Sequence, residues 1–384
     1  MHFIGGNHIQ LLRNGVEYFP ALEHAIDHAQ HHVYLQTYIY EADAIGIKIG
    51  DAMKRAASRG VSIYLLIDGF GSKTLPPAYI ESLRIAGVNV LIYRQKISPW
   101  TFKKNRLRRL HQKVAVIDDL VSFVGGINII DDNNVPNQIA PRVDYAVRVQ
   151  GPLLIEISNS VKKLWQRLAW MHFHIKPTFK GPLRVPVHYA KDSVKAAFVT
   201  RDNILHRRDI EAAYLKAIHS AKHEIIIANA YFIPGRRFRK ALISAADRGV
   251  KVKLLLQGRK EYFLMFATHA FYNVFLKNGI AIYEYRKSFM HSKVAVIDQE
   301  WATVGSSNID PFSLFLAREA NIFVKDKYFA KTLHQDIATT IHDGAYQISV
   351  KNWNKGNSVK RFLSWVAYGL VRIFLGVIGY ADQH

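Results

Sequence analysis

The chain has no cysteine among its 384 residues. Disulfide frameworks, cysteine-ligated zinc and thiol catalysis are therefore excluded. Acidic residues are also scarce: Asp and Glu number 30 against 52 Lys and Arg, a formal net charge of +22. That imbalance points to anionic partners: nucleic acid, phosphorylated substrates or an anionic membrane surface. The N-terminal MHFIGGNHIQLL lacks a basic segment followed by an apolar core, so no secretory signal is expected and the chain is expected to stay in the cytoplasm. The 18 histidines include His31-His32 and His172-x-His174, but none has a convincing ligand set, so no metal or cofactor is expected. With 49% hydrophobic and 21% charged residues the composition is globular, not disordered.

What the chain does have is itself, twice. AASRGVSIYLLIDG (56–69), AGVNVLIYR (86–94) and RLHQKVAVID (109–118) recur as AADRGVKVKLLLQG (245–258), NGIAIYEYR (278–286) and FMHSKVAVID (289–298). HVYLQTYIY (32–40) answers HEIIIANAYFIP (223–234), and FVGGIN (123–128) answers TVGSSN (303–308). A period near half the chain is too long for a solenoid and describes a duplicated domain. Within the first half the pattern predicts a helix over 42–59 ended by Gly60, a strand over 61–67, a helix over 77–86, and strands over 88–93 and 114–117. A helix over 151–173 closes that half. Alternating helix and strand predicts α/β layers around a largely buried sheet. Pro177, Pro182 and Pro186 place a linker at 176–192. The expected organisation is one domain over 1–175, a second over 193–350, and a basic, apolar tail over 351–384.

The sharpest signal is His-x-Lys-x-x-x-x-Asp, present as His111, Lys113, Asp118 and again as His291, Lys293, Asp298. Asn128 and Asn308 each stand seventeen residues after their histidine. Residues i and i+2 of a strand share a face, so each His and Lys project together. Histidine is a nucleophile near neutral pH and a general acid when protonated. Lysine supplies positive charge, and asparagine an amide donor, to phosphate oxygens. One copy is half a site. Two copies related by a pseudo-twofold set two histidines on one phosphate, one to attack phosphorus and one to protonate the leaving alcohol.

The doubled motif resembles the phospholipase D superfamily over residues ~4–345 and, more narrowly, the bacterial cardiolipin synthases, most of all their B-type branch. IQLLRNGVEYFPAL, DYAVRVQGP, EIIIANAYFIPG and WATVGSSNIDPFSLFLAREANI carry the narrower likeness. The resemblance implies two tandem phospholipase D-like domains, each a mixed sheet flanked by helices, with one active site at their interface. It implies ping-pong transfer, with His111 as nucleophile and His291 as general acid, then base. Lys113, Lys293, Asn128 and Asn308 would hold the phosphate, with Ser306 helping. An acidic partner from a later strand would orient each histidine: Glu319 follows His291 by twenty-eight residues, and Asp144 occupies the equivalent place in the first half. Asp118 and Asp298 belong to the catalytic motif, yet the family uses them structurally, in expected salt bridges away from phosphorus. The implied reaction joins two phosphatidylglycerol molecules into cardiolipin and glycerol; water as acceptor would give phosphatidic acid.

Three segments bear on the substrate. Trp100 and Phe102 stand beside Lys103, Lys104, Arg106, Arg108 and Arg109, a mixture suiting an anionic membrane interface, a single-stranded nucleic-acid groove or a solvated loop. Residues 261–278 are apolar and aromatic, so Phe263 and Phe266 line an acyl-chain entry or belong to a core helix. Residues 362–380 approach the ~20 residues of a membrane span, yet Arg361 and Arg372 share a weakly polar stripe with Ser364, Gly369, Gly376 and Gly379. With Trp365 on the apolar side, the stretch reads as a helix in the membrane plane or one docked on the protein itself. Three functions stand open: a membrane-associated phosphatidyltransferase on the cytoplasmic face, a hydrolase or nuclease of the same superfamily, and a non-catalytic nucleic-acid-binding protein. Both motifs are intact, which ranks the last lowest. The expected partners are phosphatidylglycerol and the membrane surface, with no obligatory nucleic acid.

Overall fold

The computed structural model describes residues 1–94, 108–135, 137–173, 193–202, 206–259, 267–310 and 317–355, with isolated positions at 364, 366 and 369. The first half runs β1 (Ile4–Arg13), α1 (Asn14–Asp27), β2 (His32–Thr37), α2 (Ala44–Ser58), β3 (Ser62–Asp68), α3 (Pro77–Ile85), β4 (Val88–Tyr93), β5 (Arg109–Leu110), β6 (Lys113–Ile117), β7 (Val121–Gly125), β8 (Arg142–Val143), β9 (Tyr145–Gln150) and α4 (Leu154–Phe173). The second runs β10 (Val194–Arg201), α5 (Asp209–Ser220), β11 (Glu224–Asn229), α6 (Arg236–Asp247), β12 (Lys251–Gln257), α7 (Tyr272–Lys277), β13 (Ala281–Tyr285), β14 (Phe289–Met290), β15 (Lys293–Ile297), β16 (Trp301–Gly305), β17 (Ala317–Lys325), α8 (Lys327–Gly344), β18 (Ala345–Ile348) and α9 (Val350–Lys355).

The duplication survives as topology. One half orders its strands β4-β3-β2-β6-β7-β9-β1, and the other orders them β13-β12-β11-β15-β16-β17-β10, with β18 added outside β13. The two sheets are continuous, because β1 and β10 pair antiparallel, Ile4 against Ala196 and Asn7 against Val194. Period-two burial builds the layers. Val114 and Val116 of β6 join a central core with Val294 and Val296 of β15, covered by Leu164 of α4 and Leu333 of α8. Ala115 and Ile117 face the opposite way, into the layer carrying Leu22, Met53 and Leu83 of α1 to α3. Ala295 and Ile297 do the same toward Ile218 and Leu242 of α5 and α6.

Local chemistry sets the ends. Asp43 accepts from Gly46 N at 3.0 Å and starts α2 two residues later than the pattern suggests. Gly60 and its counterpart Gly249 adopt positive φ, 88° and 86°, just past α2 and α6, a conformation open to glycine. Of the apolar stretch 261–278, Phe271, Tyr272 and Phe275 are core residues, which favours the core reading for that part. The linker at 176–192 and Trp100, Phe102, Phe263, Phe266 and Trp365 lie outside the described residues. Among the described residues no helix is long and apolar enough to cross a membrane.

Candidate active site

The site forms where each half reaches across to the other. β5, immediately before His111, pairs with β17 of the second half, Arg109 against Ala317 and Leu110 against Arg318. β14, immediately before His291, pairs with β8 of the first half, Phe289 against Arg142 and Met290 against Val143. The histidine amides extend these ladders: His111 N donates to Arg318 O at 2.9 Å and His291 N to Val143 O at 2.8 Å. Each short strand is also tied to its own half. The Asp68 carboxylate accepts from Leu110 N at 2.9 Å, and the equivalent Gln257 accepts from Met290 N at 3.4 Å.

This crossing corrects the expected pairing of acids with histidines. Glu319 does not orient His291, and Asp144 does not orient His111. His111 Nδ1 meets Glu319 Oε1 and Oε2 at 2.9 and 3.1 Å, and His291 Nδ1 meets Asp144 Oδ2 at 2.6 Å. The cause is the swapped position of β5 and β14, which carries each histidine to the start of the other half's central strand. A carboxylate on Nδ1 favours the tautomer in which that nitrogen donates and Nε2 is left as the reactive atom, although at His291 the Lys293 Nζ also lies 2.8 Å from Nδ1. The histidine side chains remain 15% and 13% exposed, whereas both carboxylates are buried.

The two lysines lie beneath. Lys113 Nζ donates to His111 O at 2.7 Å. Lys293 Nζ donates to His291 O and lies 3.6 Å from Asp144 Oδ2. Burial pushes the Lys113 ammonium down to about 7, with Glu319 opposing and Lys293 adding to the effect. Burial likewise pushes Lys293 down to about 8, against the pull of Asp144. The histidines respond in the same sense. Burial lowers His111 against the pull of Glu319, and burial with Lys293 pushes His291 down to about 3 against Asp144. Burial alone would raise the Asp144 carboxyl, but Lys293 and His291 hold it below its ordinary value. These mutual influences put both histidines, both lysines and both acids in one electrostatic cluster. Four basic side chains share the place with two carboxylates, an excess of basic groups that favours an entering phosphodiester anion.

Other expected residues fall differently. Asn128 is buried and its Oδ1 accepts from Ile39 N at 3.0 Å, leaving the NH2 end to donate elsewhere. Asn308 is buried at the matching position after β16. Ser306 is not placed as a phosphate ligand: its hydroxyl donates to Glu319 Oε2 at 2.5 Å and accepts from Ala320 N at 3.0 Å, so it holds the acid that holds His111. Asp118 and Asp298 stand at the far end of β6 and β15, roughly 20 Å along the strand from the histidines at ~3.3 Å per residue. Among the described residues neither makes the expected salt bridge. Asp118 accepts from the amides of Gln30, His31 and His32 at 2.7 to 2.9 Å. Asp298 accepts from those of Lys222, His223 and Glu224 at 2.8 to 2.9 Å. Each carboxylate thus gathers the entry to the neighbouring strand.

Sequence reasoning missed three neighbours. The Tyr38 ring centroid lies 4.7 Å from that of His111, and Phe289 lies 5.9 Å from His291. Arg142 stacks over Phe289 with Cζ 5.8 Å from the ring centroid. No repeat marks them: Tyr38 aligns with Ala230, Phe289 with Arg109 and Arg142 with Ala317.

A doubled His/Lys/Asn set with crossed carboxylates defines a two-half phospholipase D-like fold with a single composite site. The chain belongs to the family described as cardiolipin synthase, PLD-like domain, which matches residues 22–165 and 214–341. Among curated relatives, cardiolipin synthase B of Salmonella typhimurium is 38% identical over 99% of this chain and 91% of its own length. Cardiolipin synthase B of Escherichia coli K12 is 36% identical over the same shares. Cardiolipin synthase A of Pseudomonas fluorescens is 32% identical over 86% of this chain and 68% of its own. In solved structures the fold is similar to phosphatidylserine synthase of Haemophilus influenzae Rd KW20, with TM-score 0.69 at 12% identity, covering 98% of this chain and 94% of that one.

Proposed function

We propose that the chain is a cardiolipin synthase, a phosphatidyltransferase that joins two phosphatidylglycerol molecules and releases glycerol. The observation that carries the reading is the pair of histidines with Nδ1 held by a carboxylate and Nε2 free, above two buried lysines, in a chain of this family. His111 Nε2 attacks the phosphorus of the first lipid. The P–O bond to glycerol breaks, and the glycerol oxygen takes the proton from His291. The headgroup hydroxyl of the second lipid then loses its proton to His291 as its oxygen attacks phosphorus and the P–N bond breaks. One phosphodiester replaces another, so no nucleotide is consumed.

The electrostatics support this order of events. Burial, with the lysines adding to it, depresses both histidines, and His291 holds its proton poorly. A phosphodiester anion between the lysines offsets that depression and lets His291 stay protonated until the leaving oxygen needs the proton. The Asn128 and Asn308 amides complete the cradle for the non-bridging oxygens. Glu319 and Asp144 steady each imidazolium without becoming protonated. With its charge of +22, the protein works peripherally on the anionic cytoplasmic leaflet.

The test uses protein in mild detergent with phosphatidylglycerol alone, lipid products being identified by mass spectrometry. Cardiolipin and glycerol are expected, and both disappear in His111→Ala and His291→Ala. Phosphatidic acid as the sole product would replace the transferase reading with a phospholipase. A trapped adduct on His291 would reverse the roles of the histidines.

A further inference from the structure

The paired motifs furnish one phosphate cradle, but the proposed reaction brings two phosphates together. The donor's phosphorus sits at the histidines, while the acceptor carries its own phosphodiester three carbons from the hydroxyl that reacts. The second charge needs a cation outside the repeated set, on the side of the histidine that deprotonates the acceptor. Two arginines flank the site. Arg109, on the His111 side, is ion-paired to Asp68 at 3.4 Å. Arg142, on the His291 side, is 8% exposed, and among the described residues its guanidinium donates to a single oxygen, Asn134 O at 3.1 Å.

A buried cation is ordinarily paired or fully hydrogen-bonded. Arg142 has Asp132, Asp144 and Asp43 within electrostatic reach, but each is committed elsewhere. Asp144 serves His291, Asp132 accepts from Gly15 N at 2.5 Å, and Asp43 accepts from Gly46 N, Asp131 N and Asn134 Nδ2 at 2.8 to 3.0 Å. The guanidinium therefore retains donors in the fork geometry that suits a phosphate. Its position is set by a ladder of three groups: His291, then the Phe289 ring tilted 30° to it at 5.9 Å, then Arg142 at 5.8 Å from that ring. The Phe289 ring lies between the two groups, so an acceptor's glycerol bridge laid along it runs from His291 toward Arg142. The second half has Ala317 at the equivalent register, so the subsite exists on one side only.

We propose that Arg142 binds the phosphodiester of the acceptor lipid and so favours phosphatidylglycerol over water or a neutral alcohol as acceptor. The inference rests on the cardiolipin synthase reading, and its test separates the two. The full chain is assayed in mixed micelles for cardiolipin formation and, in parallel, for exchange of labelled glycerol into phosphatidylglycerol. Both reactions pass through the same phosphatidyl-enzyme, but glycerol brings no phosphate. Arg142→Met is expected to lower cardiolipin formation relative to exchange by about tenfold to a hundredfold, with a raised KM for the acceptor. Arg142→Lys, which keeps the charge if the Met variant does not fold, should show the same preference to a smaller degree. Equal losses in both reactions, or no change in their ratio, would overturn the subsite. A wild-type protein that exchanges glycerol but makes no cardiolipin would remove the parent reading, and the subsite with it.

Discussion

In the first half, a glycine stands where the second half has a serine, and the difference is matched by the acid above it. A Cβ added to Gly126 would lie 2.3 Å from Asp144 Oδ1. At the equivalent place the Ser306 hydroxyl occupies that space and donates to the acid, which is Glu319. A short carboxylate presses on a residue without a side chain; a carboxylate one methylene longer is braced by a hydroxyl. The covers differ as well: Tyr38 lies beside His111, and Phe289 beside His291. After duplication the reagents and their strands stayed alike, while the parts that hold them diverged in matched pairs. The two histidines consequently sit in unequal surroundings, as two different roles require.

The crossed pairing is the part of this comparison that breaks most visibly. Glu319→Gln leaves His111 without its carboxylate, and Asp144→Asn does the same to His291. Each should lower turnover by about 10^2- to 10^4-fold. The halves separate in which step fails. Glu319→Gln should slow formation of the phosphohistidine, measured in a single turnover with rapid quench, and Asp144→Asn should slow both its formation and its resolution. If Asp144→Asn slows formation alone while Glu319→Gln slows both steps, the acids serve the histidines of their own halves. A smaller effect follows from Gly126→Ser, which imports the second half's residue into the first. Its side chain must displace the Asp144 carboxylate, with an expected loss of about 10- to 100-fold in kcat and partial recovery in Gly126→Ser/Asp144→Glu.

How much of this was legible depends on the distance over which the cause acts. The β6 and β15 strands, their histidines and lysines, and the duplicated strand order follow from local periodicity repeated in one chain. The crossing does not, since it depends on two-residue strands whose partners lie 208 and 147 residues away: Leu110 with Arg318, and conversely Met290 with Val143. The offset from His291 to Glu319 looked like a pairing within one half because sequence distance carries no account of which edge β14 joins. Ser306 read as a phosphate ligand because a hydroxyl near a glycine turn is compatible with both roles, and only the position of Glu319 decides. Arg142 could not be found at all, since its meaning lies in having no ion-pair partner among the described residues.

Asp118 and Asp298 form the symmetric counter-case, where both halves do the same thing. Asp298→Ala removes a carboxylate from three amides and should cost about 2 kcal/mol or more of stability, read from denaturant unfolding, while kcat changes less than about twofold. Burial opposes ionisation of Asp298, but the amides of Glu224, Lys222 and His223 hold its carboxyl below the ordinary value. That stabilisation is present above the ordinary carboxylate range and is lost as pH falls through the lowered value. A catalytic loss matching that of His291→Ala would return Asp298 to the chemistry. Ser306→Ala should act on both, costing about 1–3 kcal/mol of stability by taking a partner from the buried Glu319 carboxylate and Ala320 amide, and reducing turnover about tenfold through a mispositioned Glu319.

The lysines give the smallest signal and the finest comparison between halves. Lys113 is pushed down to about 7 and Lys293 to about 8, both by burial first. At pH 8 Lys113 is therefore mostly neutral and Lys293 about half protonated. An oxyanion placed between them favours the charged forms and raises both values, so binding takes up protons. Tungstate, which does not itself titrate in this range, should bind with uptake of about one to two protons at pH 8. The uptake due to the lysines should vanish at pH 6, where both are already charged. Calorimetry in buffers of different ionisation enthalpy reads the number directly. Lys113→Met should remove the larger share at pH 8, and Lys293→Met the smaller. Uptake that is unaffected by either substitution would mean that the two ammonium groups do not face the anion.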